Sequence, residues 1–165
     1  MNRSLTTGLA GLLAALASAA FVAAGGAATP AKTVAFTASY SGTANVQVNG
    51  DVANISANGN GTGTLLGSGA IVGTGTGDSS AQPCVPFTGP GTMSGTAGSK
   101  LSFTVVPGSQ GCGDEQGQVF SVVGKANVTK GTGKLAKAHG LLKFTGVYDR
   151  GAGTFTVKFK GTLSM

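Results

Sequence analysis

Three side chains able to move protons stand in succession at Tyr148-Asp149-Arg150: a phenol, a carboxylate and a guanidinium. At the mouth of a cavity such a set can act as an acid–base cluster. The same order is also ordinary hairpin chemistry, in which the aspartate bonds its own turn and the arginine lies in solvent. The residues read first as a turn.

The remaining chemistry is sparse. His139 is the only histidine, and no nucleophile elbow accompanies it, so a hydrolase triad has no partner set and His139 is expected in a turn. Asp114 and Glu115 are neighbours in a loop, positions that seldom converge on one substrate bond. Gly131-Thr132-Gly133-Lys134 opens like a phosphate loop. The full pattern wants a glycine and a hydroxyl where Val128 and Leu135 stand. The run also fits G-x-G-x-x-A through Ala136, but the chain turns straight back into a strand and no βαβ unit surrounds it. Two cysteines and one histidine leave a structural zinc site short of ligands. The sequence therefore names no catalytic residue, no cofactor and no metal. A non-catalytic role is favoured over an enzymatic one.

Cys84 and Cys112 are an even count in a chain that carries export features, and they are expected to form one disulfide. Those features occupy residues 1–31. Met1-Asn2-Arg3 supplies a positive start, Leu5 to Ala24 is apolar, and no charge appears from Ser4 to Ala31. Ala24, Gly26, Ala28 and Ala31 offer small-residue cleavage sites. The pattern is that of a helical secretory signal peptide, with an uncleaved anchor as the alternative. Residues 32–165 then form one domain without a further membrane span. The expected location is outside the cell or on its envelope.

Charge divides unevenly. Residues 32–124 carry Lys32 and Lys100 against Asp51, Asp78, Asp114 and Glu115, whereas residues 125–165 carry seven lysines and Arg150 against Asp149 alone. Lys134, Lys137, Lys143, Lys158 and Lys160 are candidate contacts to an anionic surface such as lipid headgroups or wall polymers. The plainer reading is that outward lysines keep a sheet soluble. Nucleic acid is disfavoured, because Phe144, Phe155 and Phe159 fall on the core face instead of among the lysines.

The elements that must position these residues are strands. Phe155, Val157, Phe159 and Leu163 face one way, and Thr154, Thr156, Lys158, Lys160 and Thr162 the other. Val34, Phe36, Ala38, Tyr40, Val46 and Val48 alternate likewise, on one bent strand or on two strands around Gly42. Leu101, Phe103 and Val105 repeat the period, as do Phe120, Val122, Ala126 and Val128, and then Leu142 and Phe144. Asn49-Gly50 signals a hairpin, and Asn58-Gly59-Asn60-Gly61 reads as a turn or bulge. Residues 61–77 alternate glycine and threonine around Leu65, Leu66, Ile71 and Val72, a pattern that suits tight barrel corners. Residues 78–90 and 108–117 read as loops tied by the disulfide, and Lys134 to Ala138 as a single helical turn. About eight strands at this spacing predict a small antiparallel β-barrel, with a two-sheet sandwich as the alternative. Pairing the last strand with the first would close it.

Gly131-Thr132-Gly133-Lys134-Leu135, followed by Ala138-His139-Gly140 and a strand pair, resembles a signature of allene oxide cyclase-like and dirigent-like barrels. It is also similar to glycine- and threonine-rich exported bacterial proteins. The resemblance implies a barrel holding a hydrophobic small molecule whose cyclisation or coupling is steered by polar interior groups. Here only Tyr40, Asn54 and Asp51 are candidates for interior polar groups, and none lies in the matched stretch, so no catalytic residue is carried over. The expected function is a module that binds a small apolar ligand or associates with the envelope. A cyclase-like catalyst and an adhesin-like surface protein are the alternatives.

Overall fold

The computed structural model describes residues 32–165, so the signal-peptide reading of residues 1–31 lies outside the described residues. The described chain is all-β, with nine strands: β1 Thr33–Asn49, β2 Val52–Gly63, β3 Gly67–Asp78, β4 Cys84–Ser94, β5 Lys100–Val105, β6 Gln110–Gly113, β7 Val119–Gly131, β8 Gly140–Asp149 and β9 Thr154–Ser164. Each pairs antiparallel with its neighbours. The last pairs with the first, from Thr33↔Ser164 to Thr43↔Thr154. That pairing closes a barrel, and a sandwich is excluded.

Nine strands make eight staves because β5 and β6 share one. The half of β4 from Gly89 onward pairs with β5 and the half up to Pro86 with β6, and β7 divides its partners in the same way. Residues 106–109 interrupt this stave. Ser109, 1% exposed, stitches the gap. Its hydroxyl donates to the Val106 carbonyl at 2.8 Å and accepts from the Lys125 N–H at 3.1 Å. A buried backbone break needs such a partner, since unpaired peptide groups inside a fold are costly.

Two expectations are corrected here. Residues 84–90 and 110–113 are strand, not loop. Pro86 and Pro90 hid β4, but both flank the point where it changes partner, a place where a missing N–H is tolerated. Asn58-Gly59-Asn60-Gly61 is likewise neither turn nor bulge but uninterrupted β2. Gly59 lies opposite Gly42 of β1, and a Cβ on Gly42 would overlap the Gly59 backbone. The glycines let two long strands coil against each other, and β1 runs through Gly42 as one strand.

All connections 49–52, 78–84, 113–119 and 149–154 fall at one end of the barrel, and 63–67, 94–100 and 131–140 at the other. The second end is plugged. Phe36, Met93, Leu101, Leu142 and Leu163 fill it, with Leu66 inserted from the β2–β3 turn and Leu135 and Ala138 from the β7–β8 connection, all at most 3% exposed. That connection contains a 3-10 turn, Gly133–Leu135. No helix among the described residues is long and apolar enough to cross a membrane.

Candidate functional site

The first end is open, and behind it lies a cavity of about 250 Å³. Its floor is a run of four phenylalanine rings: Phe87 with Phe144 (centroids 6.2 Å apart), Phe144 with Phe159 (5.6 Å) and Phe159 with Phe103 (5.6 Å). Val46, Ile55, Val122 and Val157 form the walls, all inward positions of the period-two pattern. The space exists because inward positions in this half hold Ala44, Ala57, Gly73, Gly75, Gly111 and Gly146. A Cβ on Gly73 would meet nothing nearer than 3.6 Å. Not every glycine at this level leaves room: a Cβ on Gly75 would overlap the Thr88 carbonyl, and one on Gly91, the partner of Gly73 on β4, would overlap the Phe103 ring of the floor.

The Tyr148-Asp149-Arg150 group sits at the mouth. Tyr148 points inward, its ring 6.1 Å from Phe120, and Arg150 lines the rim. Asp149 turns away from both: its carboxylate accepts the Ala152 N–H at 2.9 Å, closing the β8–β9 turn. The three residues adjoin in sequence but do not converge as an acid–base set. Among the described residues, Tyr148 and Arg150 are the only ionisable side chains lining the cavity.

Of the interior polar candidates, only Tyr40 is inside. It is 2% exposed, and its hydroxyl is a buried side-chain polar atom without a partner among the described residues. Burial raises its pKa above the phenol value of 10.0. Asn54 and Asp51 are exposed. A lone tyrosine on an apolar face gives no sequence signal that its hydroxyl will be orphaned.

The cysteines are joined. Cys84 and Cys112 face each other across β4 and β6 with Cα atoms 3.9 Å apart, and the disulfide closes a separation of 28 residues. Both lie in the open half. His139 is far from the cavity, at the plugged end, exposed and bridged to Ser164; its Nδ1 is 3.0 Å from the Lys137 carbonyl, which makes that nitrogen the donor. Lys134 and Lys137 occupy the same connection, whereas Lys143, Lys158 and Lys160 project from β8 and β9. Asp114 and Glu115 stand in the β6–β7 loop, where Asp114 accepts the Gln118 N–H at 2.8 Å.

Sequence reasoning missed two features. Ser109 looked like loop filler, and Gly73 read as a corner residue although it hollows the wall; Gly75 and Gly77 do lie close against the β4 backbone. A run of glycines at every second position, beside β-branched outward residues, was the available signal. No family model matches the chain, and no curated protein or solved structure matches it at a significant level.

Proposed function

We propose that the protein is a non-catalytic carrier that holds a small apolar molecule in the open half of its barrel. The observation that carries this reading is the cavity: an apolar, aromatic-floored space of about 250 Å³ with one open end. An apolar cavity of ~150 Å³ stays dry and takes benzene, so by proportion this one suits a ligand of about ten heavy atoms. Acid–base work on a molecule held there would have only Tyr148 and Arg150 at the mouth, with no carboxylate or imidazole along the wall. That favours holding over steering a cyclisation. An exported protein stapled by a disulfide would serve such a role outside the cell.

Titration calorimetry with naphthalene, a rigid apolar probe of about the right size, tests the reading. Saturable one-to-one binding is expected, with a negative heat-capacity change from apolar burial. No binding of naphthalene, together with no small-molecule adduct on the protein recovered from its natural medium, would remove the carrier.

A further inference from the structure

The fold converts a charge asymmetry along the chain into one along the barrel axis. All five carboxylates stand at the open end: Asp51 in the β1–β2 turn, Asp78 ending β3, Asp114 and Glu115 in the β6–β7 loop, and Asp149 ending β8. All nine lysines of the described residues lie in the plugged half or at mid-height, and all are exposed. Three of them form a line. Lys125 of β7 pairs with Lys143 of β8, and Lys143 with Lys160 of β9. Lys158 sits one outward position above, opposite Thr145 and Ser39, and Thr37 continues the row beyond Lys160.

Like charges directly opposite on neighbouring strands destabilise a sheet. Plain solubility does not require them in one row, since lysines scattered over the flank would serve it equally. At one strand spacing per step, the row spans about 10 Å around a convex wall.

We infer that this flank is a docking surface for a linear polyanion, bound so that the acid-rimmed mouth faces away from it. The row presents ammonium groups in file, with Thr37 and Ser39 beside them to bond phosphate or carboxylate oxygens. A polymer strand laid around the wall can meet them in sequence. A bilayer is the poorer fit. Anchoring helices and loops insert aromatic side chains or a continuous apolar face, whereas here Phe36 and Tyr40 are buried, the other seven aromatics of the described residues line the cavity, and the exposed Val123, Leu141 and Val147 of this flank alternate with Lys125, Lys143 and Thr145. The carboxylates would be repelled by the polymer, which fixes the mouth outward and leaves the cavity accessible.

The test is binding of fluorescent polyglutamate to the disulfide-bonded protein at low ionic strength, where the Debye length is about 10 Å or more. The triple variant Lys125→Gln, Lys143→Gln, Lys160→Gln is expected to lose affinity by about tenfold or more. The variant Lys130→Gln, Lys134→Gln, Lys137→Gln removes the same charge from the plugged end and should lose several-fold less. Acetylation footprinting should show Lys143 and Lys160 protected by the polymer, with carbodiimide labelling of Asp51 and Glu115 unchanged. Equal losses in the two variants would reduce the interaction to net charge and overturn the inference. So would binding of phosphatidylglycerol vesicles without binding of the polymer. Thermal unfolding of both variants confirms that each is folded, and the row variant is expected to be the more stable because it relieves repulsion.

Discussion

The two halves of this barrel share the same eight staves and hold together by different means. The plugged half is a solid core: Phe36, Met93, Leu101, Leu142 and Leu163 are all 0% exposed, and Leu66 and Leu135 close the end. The open half has a hollow where that core would be, and its inward residues Val46, Ile55, Val122 and Val157 are only half-buried. The covalent tie lies there, between β4 and β6, together with the interrupted stave. An up-and-down barrel can give up interior packing at one end if the ladder stays closed and something else restrains the strands. Here a disulfide and the Ser109 stitch do so.

The comparison can be broken first at the solid end. Phe36→Ala is expected to cost about 3–5 kcal/mol, because it leaves a void among side chains that cannot collapse. Val46→Ala in the open wall should cost about 1 kcal/mol or less, since that side chain already borders a cavity. Urea unfolding of the two variants measures the contrast, and equal losses would mean that the halves are not energetically distinct.

Removing the tie with Cys84→Ser and Cys112→Ser is expected to cost about 3–4 kcal/mol on the chain-entropy account of a loop this long. The loss should be local in its first sign. Amide exchange would rise in β6 and the first half of β4 before it rises in β1 or β9. Uniform acceleration across the barrel would argue against a restraint particular to the open half.

Tyr40→Phe goes the other way. Deleting a buried hydroxyl that has no partner removes a desolvation cost of about 1–3 kcal/mol, so the variant should be more stable. The pH dependence sharpens this. Burial raises the folded-state pKa of Tyr40, so above about pH 10 the unfolded chain loses this proton first. The unfolded state then binds fewer protons than the native one, and stability falls as pH rises through that range. Phe at this position should flatten that alkaline limb, and an unchanged limb would sink the account.

The smallest change in stability carries the clearest functional reading. Gly73→Val fills open space and should raise stability by about 0.5–1 kcal/mol by restricting the unfolded chain, while reducing or abolishing naphthalene binding. Gly91→Val, on the same alternation but against the Phe103 ring, should instead destabilise. The two glycines are partners across β3 and β4, so if both substitutions behaved alike, the hollow would not be bounded by the Phe103 ring as the packing indicates.

Much of the architecture was legible because strand patterning is local. The alternation at 154–163 and 33–48 placed Phe36, Tyr40, Phe155 and Phe159 on the inner face, where they are found. The strand count and the first-to-last pairing followed from that pattern and the turn glycines. β4 and β6 were not legible. Prolines and a short length conceal a strand whose identity comes from its partners, and the partners of β4 change midway.

The amino-acid sequence by itself determined which side of the clearly alternating strands meets the core, the reversals at Asn49-Gly50 and at residues 149–153, and which two cysteines pair. Those properties depend on neighbours a few residues apart or, for the cysteines, on there being no other choice. Only the tertiary structure decided that one end is solid and the other hollow, since interior volume at any height is the sum of side chains contributed by all eight staves. It also decided that Lys125, Lys143 and Lys160, 18 and 17 residues apart, form one row, and that every carboxylate rims the mouth. Register sets those neighbours, and register is fixed when the barrel closes.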